Sequence, residues 1–215
     1  NDIYKNVNSY LENLKENKKK SVNYVKEVFS KNKYSSILTI SYSSTVINSL
    51  ENMNKVFVLE SRPLMEGRKT SRMIKNDITN EIEVEYCIDA AMAKAVKKTD
   101  AVLVGADTVC IEGVLNKIGT RPLWYTSKEL GTPFYVVCDS SKILSSQIPI
   151  SVEEIHPVDE VWDTDLDINI NNEYFELTPW SDYELIMEDG IEKNIEKKIK
   201  KLDVSDKLLK YHPKV

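Results

Sequence analysis

Asp107 closes an apolar run, Ala101 to Val104, that turns on Gly105-Ala106, and Asn116 and Lys117 follow it just ahead of Gly119-Thr120. A carboxylate at the end of a buried strand can have a raised pKa and work as a general acid or base. An amide and an ammonium can hold hydroxyl and phosphate groups. Together they suit a site for an anionic, polyhydroxylated small molecule. Each also has a plainer reading: Asp107 as the cap of a turn, Asn116 and Lys117 as a polar turn. Arg62, in Glu60-Ser61-Arg62-Pro63, can fork two phosphate oxygens, or pair with Glu60 or Glu66. Thr120 reads as a helix N-cap with Pro122 in the first turn, and that helix start would add backbone donors for an anion.

Other reactive residue types carry less. His156 sits in a loop beside Pro157 and His212 lies near the C-terminus, both read as surface histidines, so no Ser-His-Asp set can be assembled. Cys87, Cys110 and Cys138 lack CxxC spacing and read as free, mostly core thiols. Asp163, Asp165 and Asp167 alternate like a calcium loop, but Ile168 stands where glycine is needed and Tyr174 where glutamate is needed. Gly-x-Gly-x-x-Gly and Walker A patterns are missing. No cofactor and no metal are expected.

The elements that must position these residues alternate. Ser36 to Thr39, Lys55 to Leu59, Glu81 to Tyr86, Ala101 to Val104 and Phe134 to Cys138 read as strands. Between them lie helices: one containing Val46, Ile47 and Leu50, a basic one at Gly67 to Asn76, Ile88 to Val96, and one containing Leu123 to Leu130. Residues 2 to about 30 read as a helix or two, with Lys18 to Lys20 on a solvated face or at a helix end. IEKNIEKKIK, ending at Lys200, reads as an exposed helix. This predicts an α/β, Rossmann-like, doubly wound parallel sheet behind a short N-terminal helical segment: residues 1–35, then 36–215. In such sheets ligands sit beyond the carboxyl ends of the strands. The polar residues there are Ser41 to Ser44, Glu60 to Pro63, Asp107, and Asp139 to Lys142.

A net charge of −5 excludes a broadly basic surface, so direct nucleic-acid binding is not expected. No apolar run reaches the ~18 residues of a membrane span, and the polar, Lys-rich start is no secretory signal. A cytoplasmic protein without membrane contact is expected.

ESRPLMEGR (Glu60 to Arg68), VGADTVCIEGVLNKIGT (Val104 to Thr120), GTPFYVVCDSSKI (Gly131 to Ile143), IPISVEEIHPVDEVWD (Ile148 to Asp163) and EYFELTPWSDYELIMEDGI (Glu173 to Ile191) occur in this order. Together they resemble the family uniting the alpha, beta and delta subunits of translation initiation factor 2B with methylthioribose-1-phosphate isomerase and ribose-1,5-bisphosphate isomerase. The resemblance implies a Rossmann-like domain behind a helical one, with a ligand pocket between. It places the isomerases' catalytic aspartate on Asp107 and their sugar-phosphate asparagine and lysine on Asn116 and Lys117. The arginine-proline turn and the polar residue before its glycine fall on Arg62, Glu66 and Gly67.

The departures point away from catalysis. The isomerases' cysteine turn reads roughly Thr-His-Cys-Asn-Ser, whereas Thr39 to Ser43 is Thr-Ile-Ser-Tyr-Ser, with Ser41 at the cysteine position. A serine hydroxyl is far too weakly acidic to replace a thiolate without an added base. About 35 residues precede the sheet, with no Arg-Gly phosphate segment among them. The expectation is a non-catalytic regulatory subunit that binds a sugar phosphate or nucleotide through Ser41, Ser43, Arg62, Glu66, Gly67, Asn116 and Lys117. Its protein partners would be initiation factor 2 or sister subunits, and a second copy in a homodimer. Ile148 to Ile191, with Tyr174, Phe175 and Trp180, would supply the dimer surface or pack on their own core. The alternative is an aldose-ketose isomerase on a pentose phosphate, with Asp107 as general acid/base.

Overall fold

The computed structural model describes residues 2–78, 81–150 and 156–202. Six short segments, all but the edge strand β3 largely apolar, form parallel strands: β1 (Ser36–Thr39), β2 (Lys55–Leu59), β3 (Glu83–Cys87), β4 (Ala101–Val104), β7 (Phe134–Val137) and β9 (Glu184–Met187). With β10 (Gly190–Glu192) antiparallel at one edge, the order is β10-β9-β7-β4-β1-β2-β3. The central strands are apolar throughout because both faces are covered. Leu38, Phe57, Val102 and Val136 pack on α4 (Met92–Val96) and α5 (Thr120–Leu130) through Val96, Leu123 and Trp124. Their sequence neighbours Ile37, Val56, Leu103 and Val137 point the other way, against Val25 and Phe29 of α1 (Asp2–Asn32) and Val46 of α2 (Ser44–Asn48). The doubly wound α/β architecture is thus as the sequence predicts.

Several elements differ. The N-terminal residues form one helix, one of the two arrangements expected, but its first half stands clear of the fold, with Tyr4, Val7, Tyr10 and Leu11 exposed. The basic helix α3 (Gly67–Met73) passes into a π-helical turn, Ile74–Ile78. A 3-10 turn, Asp89–Ala91, precedes α4. The exposed helix expected before Lys200 is shorter: Ile191 and Glu192 belong to β10, and α6 (Ile195–Lys200) starts only after Asn194 caps it. A second, antiparallel sheet was not anticipated: β5 (Thr108–Val109), β6 (Gly113–Lys117) and β8 (Phe175–Pro179), in that order.

The start of α5 also differs. Gly119, at φ 98°, is the N-cap, and Thr120 is the first helical residue. Glu176 Oε1, from β8, accepts from the Gly119 (2.6 Å) and Arg121 (3.0 Å) amides. The donors expected to meet an anion are therefore occupied by the protein's own carboxylate. His212 lies outside the described residues, as does part of the stretch expected at the dimer surface.

Candidate functional site

Strand order places β1 between β2 and β4, so the chain leaves these neighbours in opposite directions and opens a crevice at their carboxyl ends. A cavity of about 330 Å3 lies there. Residues 41–45 after β1, 105–107 after β4 and Cys138, Asp139 and Lys142 after β7 line it, with Asn116 of β6 and Glu66 ahead of α3.

Ser41 is held in an uncommon backbone state, φ 65°, as is Ser61 at φ 66°. The Ser41 amide donates to Ser61 Oγ (2.7 Å), and Thr70 Oγ1 donates to the Ser41 carbonyl (2.6 Å). Both oxygens of Asp89 accept from the amides of the next turn, Ser61 and Arg62, at 2.8 Å each. Such left-handed serines persist only where their surroundings over-determine them, as these do. Ser43 caps α2, its Oγ accepting from the Val46 amide at 3.4 Å. Gly105 allows the close approach opposite: a Cβ there would stand 2.7 Å from Ser43 Oγ.

Asp107 is anchored by its amide to the Leu115 carbonyl (3.0 Å). As a residue it is exposed at the cavity mouth. Enough protein nevertheless crowds its carboxyl that desolvation raises its pKa; Lys142 and Lys117 oppose the shift and Glu66 adds to it.

Asn116 and Lys117 separate. Asn116 lines the cavity and donates to Thr120 Oγ1 at 3.0 Å. Lys117 is 1% exposed, does not line the cavity, and places its ammonium 2.8 Å from Glu66 Oε1 and 5.1 Å from the centre of the Tyr174 ring. Glu66 Oε2 is buried and makes no hydrogen bond among the described residues. Arg62 points away, its Nη2 donating to the Val161 carbonyl (2.6 Å), with neither Glu60 nor Glu66 as its partner. Gly67 sets the chain path, since a Cβ there would meet the Leu59 carbonyl oxygen at 2.0 Å. The fold thus brings Ser41, Ser43, Glu66, Asp107 and Asn116 together on the cavity, and leaves Arg62, Gly67 and Lys117 behind or beside it.

Some lining residues were not singled out by sequence. Thr45 is one. Tyr42, within the polar run expected there, carries the Lys69 ammonium 3.6 Å from its ring centre. Lys18 reaches the rim from α1 and donates to Ser44 Oγ at 2.6 Å. A lysine run on a helix gives no signal that one member turns inward.

The thiols do not take over the missing cysteine's place. Cys138 lines the cavity, but burial, with Asp139 and Glu188 nearby, pushes its pKa well up and keeps it protonated. Cys110 is buried, and desolvation pushes it up to about 11. His156 is half-buried and stacks on Tyr174 with ring centres 3.5 Å apart. Tyr174 donates to Glu160, Phe175 lines the cavity, and Trp180 donates to the Cys110 carbonyl at 3.0 Å, so all three aromatics pack within their own chain. Chemically, the arrangement can hydrogen-bond a polyol, attract an anion at Lys142, and exchange a proton at Asp107.

Residues 1–191 match the profile of the initiation factor 2 subunit family. A translation initiation factor eIF-2B subunit 2-like protein of Pyrococcus furiosus is 31% identical over 155 residues, which is 67% of this chain and 52% of that protein. Ribose 1,5-bisphosphate isomerase of Archaeoglobus fulgidus is 31% identical over 147 residues, 63% of this chain and 45% of that enzyme. The chain thus spans about half the length of the curated relatives it matches. The solved translation initiation factor eIF-2B of Pyrococcus horikoshii OT3 superposes with a TM-score of 0.69 at 26% identity, covering 85% of this chain and 66% of that one. Fold, strand-end cavity and sequence agree: the chain belongs to the initiation factor 2 subunit family.

Proposed function

We propose that this chain is a non-catalytic, ligand-binding subunit of that family. Its cavity between β1 and β4 takes a phosphorylated small molecule, a sugar phosphate or a nucleotide. Its surface meets a protein partner in translation initiation, either initiation factor 2 or a sister subunit. The observation that carries this reading is Ser41, pinned at its amide and carbonyl at the end of β1, with neither histidine nor an ionisable thiol on the cavity wall among the described residues to activate it. Such a wall binds hydroxyls and anions but, among the described residues, offers no thiolate or imidazole to move protons beside Asp107. The expected result is a higher melting temperature with phosphorylated sugars or nucleotides and no ketose formed from ribose 1,5-bisphosphate or methylthioribose 1-phosphate. Turnover of either sugar that is lost in Asp107→Asn would sink the reading.

One observation favours a second reading. The raised pKa of Asp107 suits a group that gives and takes a proton, as in a pentose-phosphate isomerase. Absence of turnover by the intact chain across several pentose phosphates and pH values would remove it.

A further inference from the structure

The strand-end cavity is rich in acids. Glu66, Asp107 and Asp139 all line it, and among the described residues Lys142 is the only cation on its wall. Lys117 is withdrawn, bonded to Glu66 beneath the surface. Carboxylates accept from sugar hydroxyls but repel phosphate, so the interior favours the hydroxyl-bearing body of a ligand over its charged end.

One wall borders a different field. Ser44 lines the cavity, and the Lys18 ammonium lies 2.6 Å from its Oγ. Lys18 also lines a neighbouring groove of about 490 Å3 between α1 and α2, together with Lys15, Lys19 and Lys26. Lys26 is paired with Glu51. Lys15, Lys18 and Lys19 make no ion pair among the described residues. Among the described residues Asp77 is the one acid of the groove besides Glu51, so in a chain of net charge −5 the groove keeps an excess of positive charge beside the cavity. Lys18 and Ser44 form the partition between the two spaces.

The geometry points to an anion subsite at this partition, in which Lys18 and the hydroxyls of Ser44 and Thr45 hold the phosphate of the cavity's ligand. The sugar lies toward Asp107, Glu66 and Asn116, and a second phosphate, where a ligand has one, extends over Lys15 and Lys19. This rests on the sugar-phosphate reading above and fixes the direction in which such a ligand lies: phosphate toward α1, away from Lys117.

The test titrates the full chain with ribose, ribose 5-phosphate, ribose 1,5-bisphosphate and inorganic pyrophosphate by calorimetry. Lys18→Ala is expected to weaken ribose 5-phosphate by about tenfold, the size of a lost charged hydrogen bond, and to leave ribose unchanged. Lys18→Arg keeps most of the affinity, and Lys128→Ala, on α5, changes nothing. Thermal melts of each variant show that the fold is intact. Removing the side chains of Lys15 and Lys19 together weakens the bisphosphate more than the monophosphate. The inference is overturned if Lys142→Ala, and not Lys18→Ala, abolishes the advantage of ribose 5-phosphate over ribose; the pocket reading then stands with the ligand reversed. Pyrophosphate binding that Lys18→Ala abolishes, without binding of either sugar phosphate, supports the subsite and sinks the sugar-phosphate reading. Binding of none of these anions overturns both.

Discussion

Lys117 follows Asn116 directly, yet the two side chains leave opposite faces of β6, as successive strand residues must. Asn116 reaches the cavity, while Lys117 is carried into the interior, where the Glu66 carboxylate offsets its charge. Lys117→Ala removes the partner of a largely buried carboxylate and is expected to cost about 3 kcal/mol in urea unfolding, as broken buried pairs do. The double variant Lys117→Met with Glu66→Gln is expected to regain most of that. A single-variant loss below about 1 kcal/mol would show that the pair behaves like a surface one. Asp107 makes a different prediction. Its folded pKa is raised, so the unfolded chain gives up this proton at lower pH than the folded one. Stability is then fully present below the unfolded pKa and is lost as pH rises through the folded pKa. Asp107→Asn should therefore melt above the parent near pH 7 and level with it near pH 3, below the ordinary carboxylate range. An equal gap at both pH values would mean that shape, not charge, separates the two proteins.

At the scale of elements, α5 depends on a residue far along the chain. Glu176 accepts two amides at its start, and Glu176→Ala should cost about 1 kcal/mol, with Glu176→Gln keeping most of the stability. Equal stability of all three proteins would show that water caps the helix as well. This cap also marks where sequence reasoning stops. Thr120 beside Pro122 imitates an N-cap, and nothing local tells that Gly119 takes the left-handed turn while β8 supplies the carboxylate. The buried strands were legible for the opposite reason: Lys55–Leu59 and Ala101–Val104 are apolar on both faces and need no distant partner to be recognised. The small sheet was hidden because Lys117 pairs with Phe175 across a long loop, and because the β5–β6 turn, residues 110–112, lacks the Asn-Gly signature of a tight hairpin.

For the whole molecule, convergence of the polar strand ends was readable because parallel strands must send them to one side. What lies around that convergence was less so. Arg62, a plausible phosphate ligand by type, instead ties down the loop that carries Val161. That loop is also fastened by Asn172, which donates to the Pro157 carbonyl (2.6 Å) and to Glu160 Oε2 (2.9 Å). Thus held, it presents Val158, Trp162, Leu166 and Ile168 to solvent. Ordered, outward apolar side chains suit a surface shared between copies, in place of the aromatics at 174, 175 and 180. Sedimentation of the parent is expected to show a dimer, and Trp162→Glu to weaken it by at least about tenfold. A monomeric parent would remove this assignment.

The first helix has a consequence for motion. Within about one turn, Asn17 Nδ2 donates to Ser140 Oγ (3.4 Å), Lys18 Nζ to Ser44 Oγ (2.6 Å) and Ser21 Oγ to the Cys138 carbonyl (2.8 Å). These contacts clasp the loops after β1 and β7, the two lips of the cavity, to a helix whose Val25 and Phe29 are locked in the core. Parting the lips means unclasping α1, so backbone amides on both sides are expected to exchange hydrogen through one shared sub-global opening, at matching rates.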